Sequence, residues 1–134
     1  MGLIFDTSVL IEAERGNLDV AEFTRDREKE FFGLSAISVA ELLHGVHRAD
    51  TEKRRLRRSA YVEKVIELFP IYPFEINTAR IYAQLWAGLM KQRIQIGAHD
   101  LIIGSTALAL GFSVATFNKR HFEKIEGLKL ELLF

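Results

Sequence analysis

Three carboxylates carry the chemistry this chain can do: Asp6, Glu41 and Asp100. Asp6 closes the apolar run Leu3-Ile4-Phe5, too short for a helix, and Thr7-Ser8 separate it from Val9-Leu10-Ile11-Glu12-Ala13, which reads as a helix start. A strand therefore runs into an acid and then into hydroxyls that can cap a helix. A strand apolar on both faces predicts a sheet covered on both sides, as in parallel α/β folds. An acid at the carboxyl end of such a strand stands where those folds place their chemistry. Glu41 follows in Ser38-Val39-Ala40-Glu41, and Asp100 in Gly97-Ala98-His99-Asp100-Leu101. Each acid has a purely local alternative. Asp6 can be a helix N-cap, Glu41 the far half of a capping box opened by Ser38, and Asp100 a first-turn acid facing the helix dipole. Together they are three acids at helix starts that follow a strand or a Gly break. Strand ends of a parallel sheet share one edge, so Asp6 and Glu41 can converge there, with Asp100 brought in by helix packing. Converging carboxylates repel unless cations fill the gap. Oxygen ligands without Cys favour Mg²⁺ or Mn²⁺.

Other chemistries find less support. Glu41-Leu42-Leu43-His44 spells Glu-x-x-His, but a di-iron bundle needs two such motifs and the chain has one. His44 and His47 are spaced for zinc but lack a third ligand. The nine glycines form neither G-x-G-x-x-G nor a P-loop, which leaves dinucleotide and nucleoside-triphosphate chemistry unsupported. No nucleophile elbow marks a Ser-His-Asp site. The run Lys53-Arg54-Arg55-Leu56-Arg57-Arg58 reads first as a solvated helix face and second as a strip for phosphates. Tyr82 and Trp86 read as core or interface before base-stacking platform.

The elements that must position the acids follow from periodicity. Residues 7–15 read as a short helix ended near Gly16-Asn17, 18–30 as a second, and Phe31-Phe32-Gly33-Leu34 as a strand. A helix from near Ser38 carries Val39, Leu42, Leu43 and Val46 on one side. Residues 50–69 form a long helix, basic at first and then apolar at Tyr61, Val62, Val65, Ile66 and Phe69, stopped by Pro70. Ile71-Tyr72-Pro73-Phe74 is the next strand, and 75–92 an amphipathic helix with Ala79, Ile81, Tyr82, Leu85, Trp86 and Leu89 in its stripe. Residues 98–110 are nearly all apolar or small, which predicts a buried helix close to a sheet, C-capped by Gly111. Ser113-Val114-Ala115-Thr116 is a further strand, followed by a helical turn at 119–123 and a last strand near 128–132. This alternation predicts an α/β fold with a mostly parallel sheet, right-handed crossovers and helices on both faces. At 134 residues, 49% hydrophobic and 27% charged, the chain 1–134 reads as a single domain of ordinary soluble composition. No apolar run nears the ~18 residues of a membrane span. The lack of Cys and of a signal pattern fits a cytoplasmic chain with no membrane partner. Eighteen basic residues balance eighteen acidic ones, so any nucleic-acid contact must rest on local patches.

Four stretches then bring a family into view: Leu-Ile-Phe-Asp-Thr-Ser at 3–8, Ile-Ser-Val-Ala-Glu-Leu-Leu-His-Gly-Val at 37–46, Ile-Gly-Ala-His-Asp-Leu-Ile-Ile-Gly-Ser-Thr-Ala-Leu at 96–108, and Val-Ala-Thr-Phe-Asn-Lys-Arg-His-Phe-Glu-Lys-Ile-Glu-Gly-Leu at 114–128. In this order the chain resembles a PIN-domain ribonuclease of the VapC toxin type, from a type II toxin–antitoxin pair, along essentially its whole length. The resemblance implies a three-layer α/β/α fold with a five-stranded parallel sheet of order 3-2-1-4-5. It places Asp6, Glu41 and Asp100 on the family's metal-binding acids. That order puts the topological switch between strand 1, ended by Asp6, and strand 4, ended by Thr116. One position departs. Relatives carry an acid just before the Phe of the 116–122 stretch, where this chain has His121, with Asn118 three residues earlier. Asn118 can offer a neutral oxygen. His121 brings no carboxylate charge, which lessens what would hold a second ion.

The expected activity is metal-assisted hydrolysis of an RNA phosphodiester, with one or two Mg²⁺ or Mn²⁺ ions on the carboxylates and water attacking phosphorus in line. Thr7, Ser8 or Asn118 would stabilise charge growing on the phosphate, and Arg54, Arg55, Arg57 and Arg58 would contact RNA phosphates. The resemblance further implies tRNA or rRNA as substrate, a homodimer, a VapB-like antitoxin that covers the site, and larger toxin–antitoxin assemblies. Two alternatives stay open: a PIN fold that binds a partner without efficient cutting, and a different Mg²⁺-dependent phosphohydrolase.

Overall fold

Strand β1 (Gly2–Phe5) is buried at every position, as a central strand covered on both faces must be. The computed structural model describes residues 1–133. After β1 come α1 (Thr7–Glu14), α2 (Val20–Thr24), β2 (Phe31–Ser35), α3 (Ala36–His47), α4 (Glu52–Leu68) and β3 (Ile71–Tyr72). Helices α5 (Ile76–Lys91) and α6 (Ala98–Leu110), strand β4 (Ser113–Thr116), α7 (Lys119–Phe122) and β5 (Leu130–Leu132) complete the order. The five strands form one sheet ordered β3-β2-β1-β4-β5, with every pairing parallel. The α/β class, the parallel sheet and the order 3-2-1-4-5 are all as expected.

Alternation along β1 divides the core in two. Leu3 and Phe5 point into one half, with Val9, Leu10, Leu34, Leu42, Val46, Val62 and Val65. Ile4 points into the other, with Leu89, Leu101, Ile103, Ala107, Val114 and Phe122. The Phe5 ring packs among Phe23, Phe32 and Phe69 at 5.6–5.9 Å between centroids. Helix α6 is buried along Ile103–Ala107, and its Gly104 lets it pack tightly, since a Cβ there would come within 2.7 Å of Ile125 Cδ1. Gly111 ends α6 at φ +71°, a left-handed conformation suited to glycine.

Three local expectations need correction. The helix expected over 18–30 is only Val20–Thr24. Beyond it Arg27 turns inward, its guanidinium 4.6 Å from the centre of the Phe23 ring and paired to both Glu30 and Glu131. That long-range clamp to β5 holds the segment out of helix. Helix α3 starts at Ala36, two residues before Ser38, and its N-cap is Ser35, whose hydroxyl accepts from the Ile37 N–H at 3.3 Å. Glu41 is therefore the sixth helical residue, too far along to close a capping box, because β2 hands over to the helix at Ser35. Trp86, in the expected stripe of α5, is 53% exposed and sits edge-on to Tyr82 at the stripe's margin, so it is not core.

Candidate active site

The site forms where β1 and β4 lie side by side and their following connections diverge, the switch point of an open parallel sheet. Asp6 ends β1 and is 3% exposed. Its backbone N–H donates to Ala115 O at 3.0 Å, which ties it to β4. It occupies the N-cap position of α1, yet its side chain makes no capping bond. The carboxylate looks across the sheet instead: Oδ2 accepts from Ser8 Oγ at 2.7 Å and from Thr116 Oγ1 at 2.8 Å. Each of those hydroxyls also accepts a backbone N–H, Ser8 from Phe117 at 3.3 Å and Thr116 from Asn118 at 2.9 Å. A buried acid is thus held by donors that are themselves held, so its polar oxygen is not left unpaired away from water.

Thr7 faces the other way. Its hydroxyl donates to Glu41 Oε1 at 2.6 Å and lies 2.9 Å from Ser38 Oγ. Ser38 is fully buried and lies one turn before Glu41, so α3 presents both to α1. The protons of Thr7 and Ser8 are committed to Glu41 and Asp6. These hydroxyls position the acids and are not free to donate to a phosphate as expected. Asp100 enters from the first turn of α6, with a side chain 24% exposed and Oδ2 3.2 Å from Nδ1 of His121. Glu41 Oε2 similarly lies 3.4 Å from Nδ1 of His99.

The acids feel one another. Burial, followed by the charge of Asp6, pushes Asp100 from 3.8 up to about 6; Glu41 adds to the rise, and His121 and His99 oppose it. Among the described residues no three acidic or histidine side chains close on one point. The donor set still suits a hydrated hard cation. Mg²⁺ keeps several waters and is usually held through one or two carboxylates, and an acid lifted by its neighbours lacks the counter-charge such an ion brings. Asp6, Glu41 and Asp100 are the groups able to hold it.

The remaining expected residues divide. Thr116 supports Asp6. Asn118 contributes its backbone N–H, while its carboxamide makes no hydrogen bond among the described residues. His121 faces Asp100. On α4, Arg54 is held by Asp50 at 2.8 and 2.9 Å and Arg55 by Glu52. Arg57 is exposed. Arg58 donates to Gly45 O at 3.1 Å and lines a pocket that reaches Glu41, together with Arg15 and Arg48. Of the four, Arg58 alone joins that pocket. Sequence reasoning passed over His99, Ser38 and Arg48 as site residues. Two signals were present: His99 adjoins Asp100 in the quoted stretch, and Ser38 stands at i−3 from Glu41.

The PIN domain family matches residues 3–128. Ribonuclease VapC1 of Rickettsia felis is 40% identical over 130 residues, 97% of this chain and 95% of that protein. The tRNA(fMet)-specific endonuclease VapC of Salmonella typhimurium is 30% identical over 98 residues, 73% of this chain and 72% of that one. Among solved structures, VapBC2 from Rickettsia felis, bound to a DNA fragment from its promoter, superposes with a TM-score of 0.88 over 100% of both chains at 23% identity, a likeness of fold. The chain belongs to the PIN-domain family, in its VapC group.

Proposed function

We propose that this protein is a divalent-metal-dependent endoribonuclease, the toxin of a type II toxin–antitoxin pair, in which 1–134 acts as a single PIN domain. The observation that carries the proposal is that Asp6, Glu41 and Asp100, from three distant segments, stand near enough for the charges of Asp6 and Glu41 to add to burial in raising Asp100 to about 6. Asp6, Glu41 and Asp100 would hold Mg²⁺ or Mn²⁺. When bound, the ion supplies Lewis acidity toward the phosphodiester and lowers the pKa of water. The chain's own residues do the rest. Ser8 and Thr116 fix Asp6 and leave its Oδ1 open, while Thr7 fixes Glu41 and leaves Oε2 toward the gap. The uncommitted Asn118 carboxamide stands at the end of β4 as a neutral donor for a non-bridging phosphate oxygen. Arg58, with Arg15 and Arg48 beside Glu41, offers guanidinium forks for a neighbouring phosphate. Arg54, Arg55 and Arg57 stand farther along α4, the first two already paired.

The substrate is RNA, with tRNA favoured over rRNA by the name of the Salmonella relative. A VapB-like antitoxin is the partner this reading implies, supported by the VapBC composition of the Rickettsia complex. The apolar groove lined by Leu10, Ala13, Leu18, Val20, Tyr61 and Leu68 has the composition to seat one of its segments. A homodimer would use the exposed Ile76, Trp86 and Met90 of α5. Action on cellular RNA would place the protein in the cytoplasm; no described helix is long and apolar enough to cross a membrane. The deciding experiment incubates wild type and Asp6→Asn with a structured RNA pool, with and without Mg²⁺. Metal-dependent cleavage by wild type alone is expected. Binding without cleavage would make the chain a non-cutting module, and cleavage of DNA or small phosphoesters in preference to RNA would make it a different phosphohydrolase.

A further inference from the structure

Two of the three acids separate their hydrogen-bonded oxygens from their open ones. Asp6 takes both hydroxyl donors on Oδ2, and Glu41 takes Thr7 on Oε1. Asp100 accepts from no hydroxyl or backbone amide among the described residues. What it meets is an imidazole, His121 Nδ1, 3.2 Å from Oδ2. A nitrogen and an oxygen that close can be neighbours in a coordination shell: with octahedral bonds of about 2.1 Å, adjacent ligands stand about 3.0 Å apart. His99 and Glu41 form a similar but wider pair at 3.4 Å. The His121 ring is half exposed and packs near the buried Phe122 ring, so α7 anchors it at the mouth of the site with its nitrogen turned inward.

Resting on the metal-dependent function proposed above, we infer that His121 enters the coordination shell through Nδ1 beside Asp100, and that this mixed nitrogen–oxygen site prefers Mn²⁺ to Mg²⁺. Mg²⁺ is hard and takes oxygen almost exclusively, whereas Mn²⁺, the weakest member of the first-row affinity order for nitrogen and oxygen sites, still gains more from an imidazole nitrogen than Mg²⁺ does. With a carboxylate in place of His121, all side-chain donors would be oxygen and the discrimination would shrink.

The test uses the full chain without RNA and each metal alone as probe. Pulsed electron paramagnetic resonance of bound Mn²⁺ reads nitrogen coupling directly, and calorimetry gives Mn²⁺ and Mg²⁺ affinities. Wild type should show one coupled nitrogen that disappears in His121→Gln and persists in His99→Gln. The Mn²⁺:Mg²⁺ affinity ratio should fall about tenfold in His121→Asp, chiefly through tighter Mg²⁺ binding. Bound Mn²⁺ without nitrogen coupling, coupling that survives His121→Gln, or an unchanged ratio in His121→Asp would each overturn the inference while leaving metal dependence intact. Failure of wild type to bind either ion would overturn both.

Discussion

Asp6 and Asp100 are the same residue type at one site, held in opposite ways. Asp6 is almost wholly buried, and two hydroxyls, each anchored in turn by a backbone N–H, converge on one of its oxygens. Asp100 is more exposed yet has only a histidine beside it, and burial together with the charge of Asp6 lifts it to about 6. Depth alone therefore does not decide the state of a carboxylate. Preorganised donors meet the carboxylate of Asp6, and their absence at Asp100 leaves burial and the like charges of Asp6 and Glu41 opposed only by His121 and His99. The first acid is part of the fold, and the second is in tension with it.

The largest expected effect removes that distinction. Asp6→Asn and Asp100→Asn should both fold and both lose RNA cleavage by ~100-fold or more, roughly 3 kcal/mol of transition-state stabilisation. Single-turnover cleavage in saturating Mg²⁺ measures it, and full activity in either variant would remove that acid from the site.

Stability should separate the two acids again. The folded pKa of Asp100 lies above its unfolded value, so the folded state binds the extra proton. The stabilisation is complete below about pH 4 and is lost as pH rises through about 6. Metal-free protein should therefore weaken across this window by at most roughly 3 kcal/mol, with solvent screening reducing that figure. In Asp100→Asn this contribution should vanish and the metal-free protein at pH 7 should melt higher than wild type. Urea unfolding at pH 4, 5, 6 and 7 reads both effects, and an unaltered pH slope in the variant would refute the strain assigned to Asp100.

On the Asp6 side the sign reverses. Ser8→Ala or Thr116→Val strips one donor from a buried carboxylate and should destabilise by about 1–3 kcal/mol. A melting temperature equal to wild type in both variants would mean that the hydroxyl pair does not hold the acid. The smallest effect belongs to Glu41. A Gln at that place can still accept the Thr7 hydroxyl, so Glu41→Gln should leave metal-free stability within about 0.5 kcal/mol or slightly above wild type while cleavage falls. Lower stability with normal cleavage would return Glu41 to a structural role.

Much of this molecule could be read along the chain. The bounds of α6 and β4 were legible to the residue, because a nearly all-apolar helix between Gly97 and Gly111 and a short apolar run after it leave few alternatives. Asp6 and Asp100 stand where the strand end and the Gly97 break put them, whereas Glu41 lies in the second turn of α3 and not at its start. What local pattern misjudged was decided from far away. Residues 25–30 leave the helix because Arg27 reaches Glu131 on β5, 104 residues on. The capping box at Ser38 dissolves because β2 runs on to Ser35, so α3 begins earlier.

Local chemistry thus determined the elements, the acids and the glycine at the end of α6, since propensity, periodicity and turn conformation act over a few residues. Only the folded chain decided how each acid is held. Thr116 meets Asp6 across 110 residues and Thr7 meets Glu41 across 34, and His121 faces Asp100 because α7 packs on α6. Hydrogen bonding and desolvation depend on what stands within a few ångströms in space, and sheet order, not sequence distance, sets those neighbours.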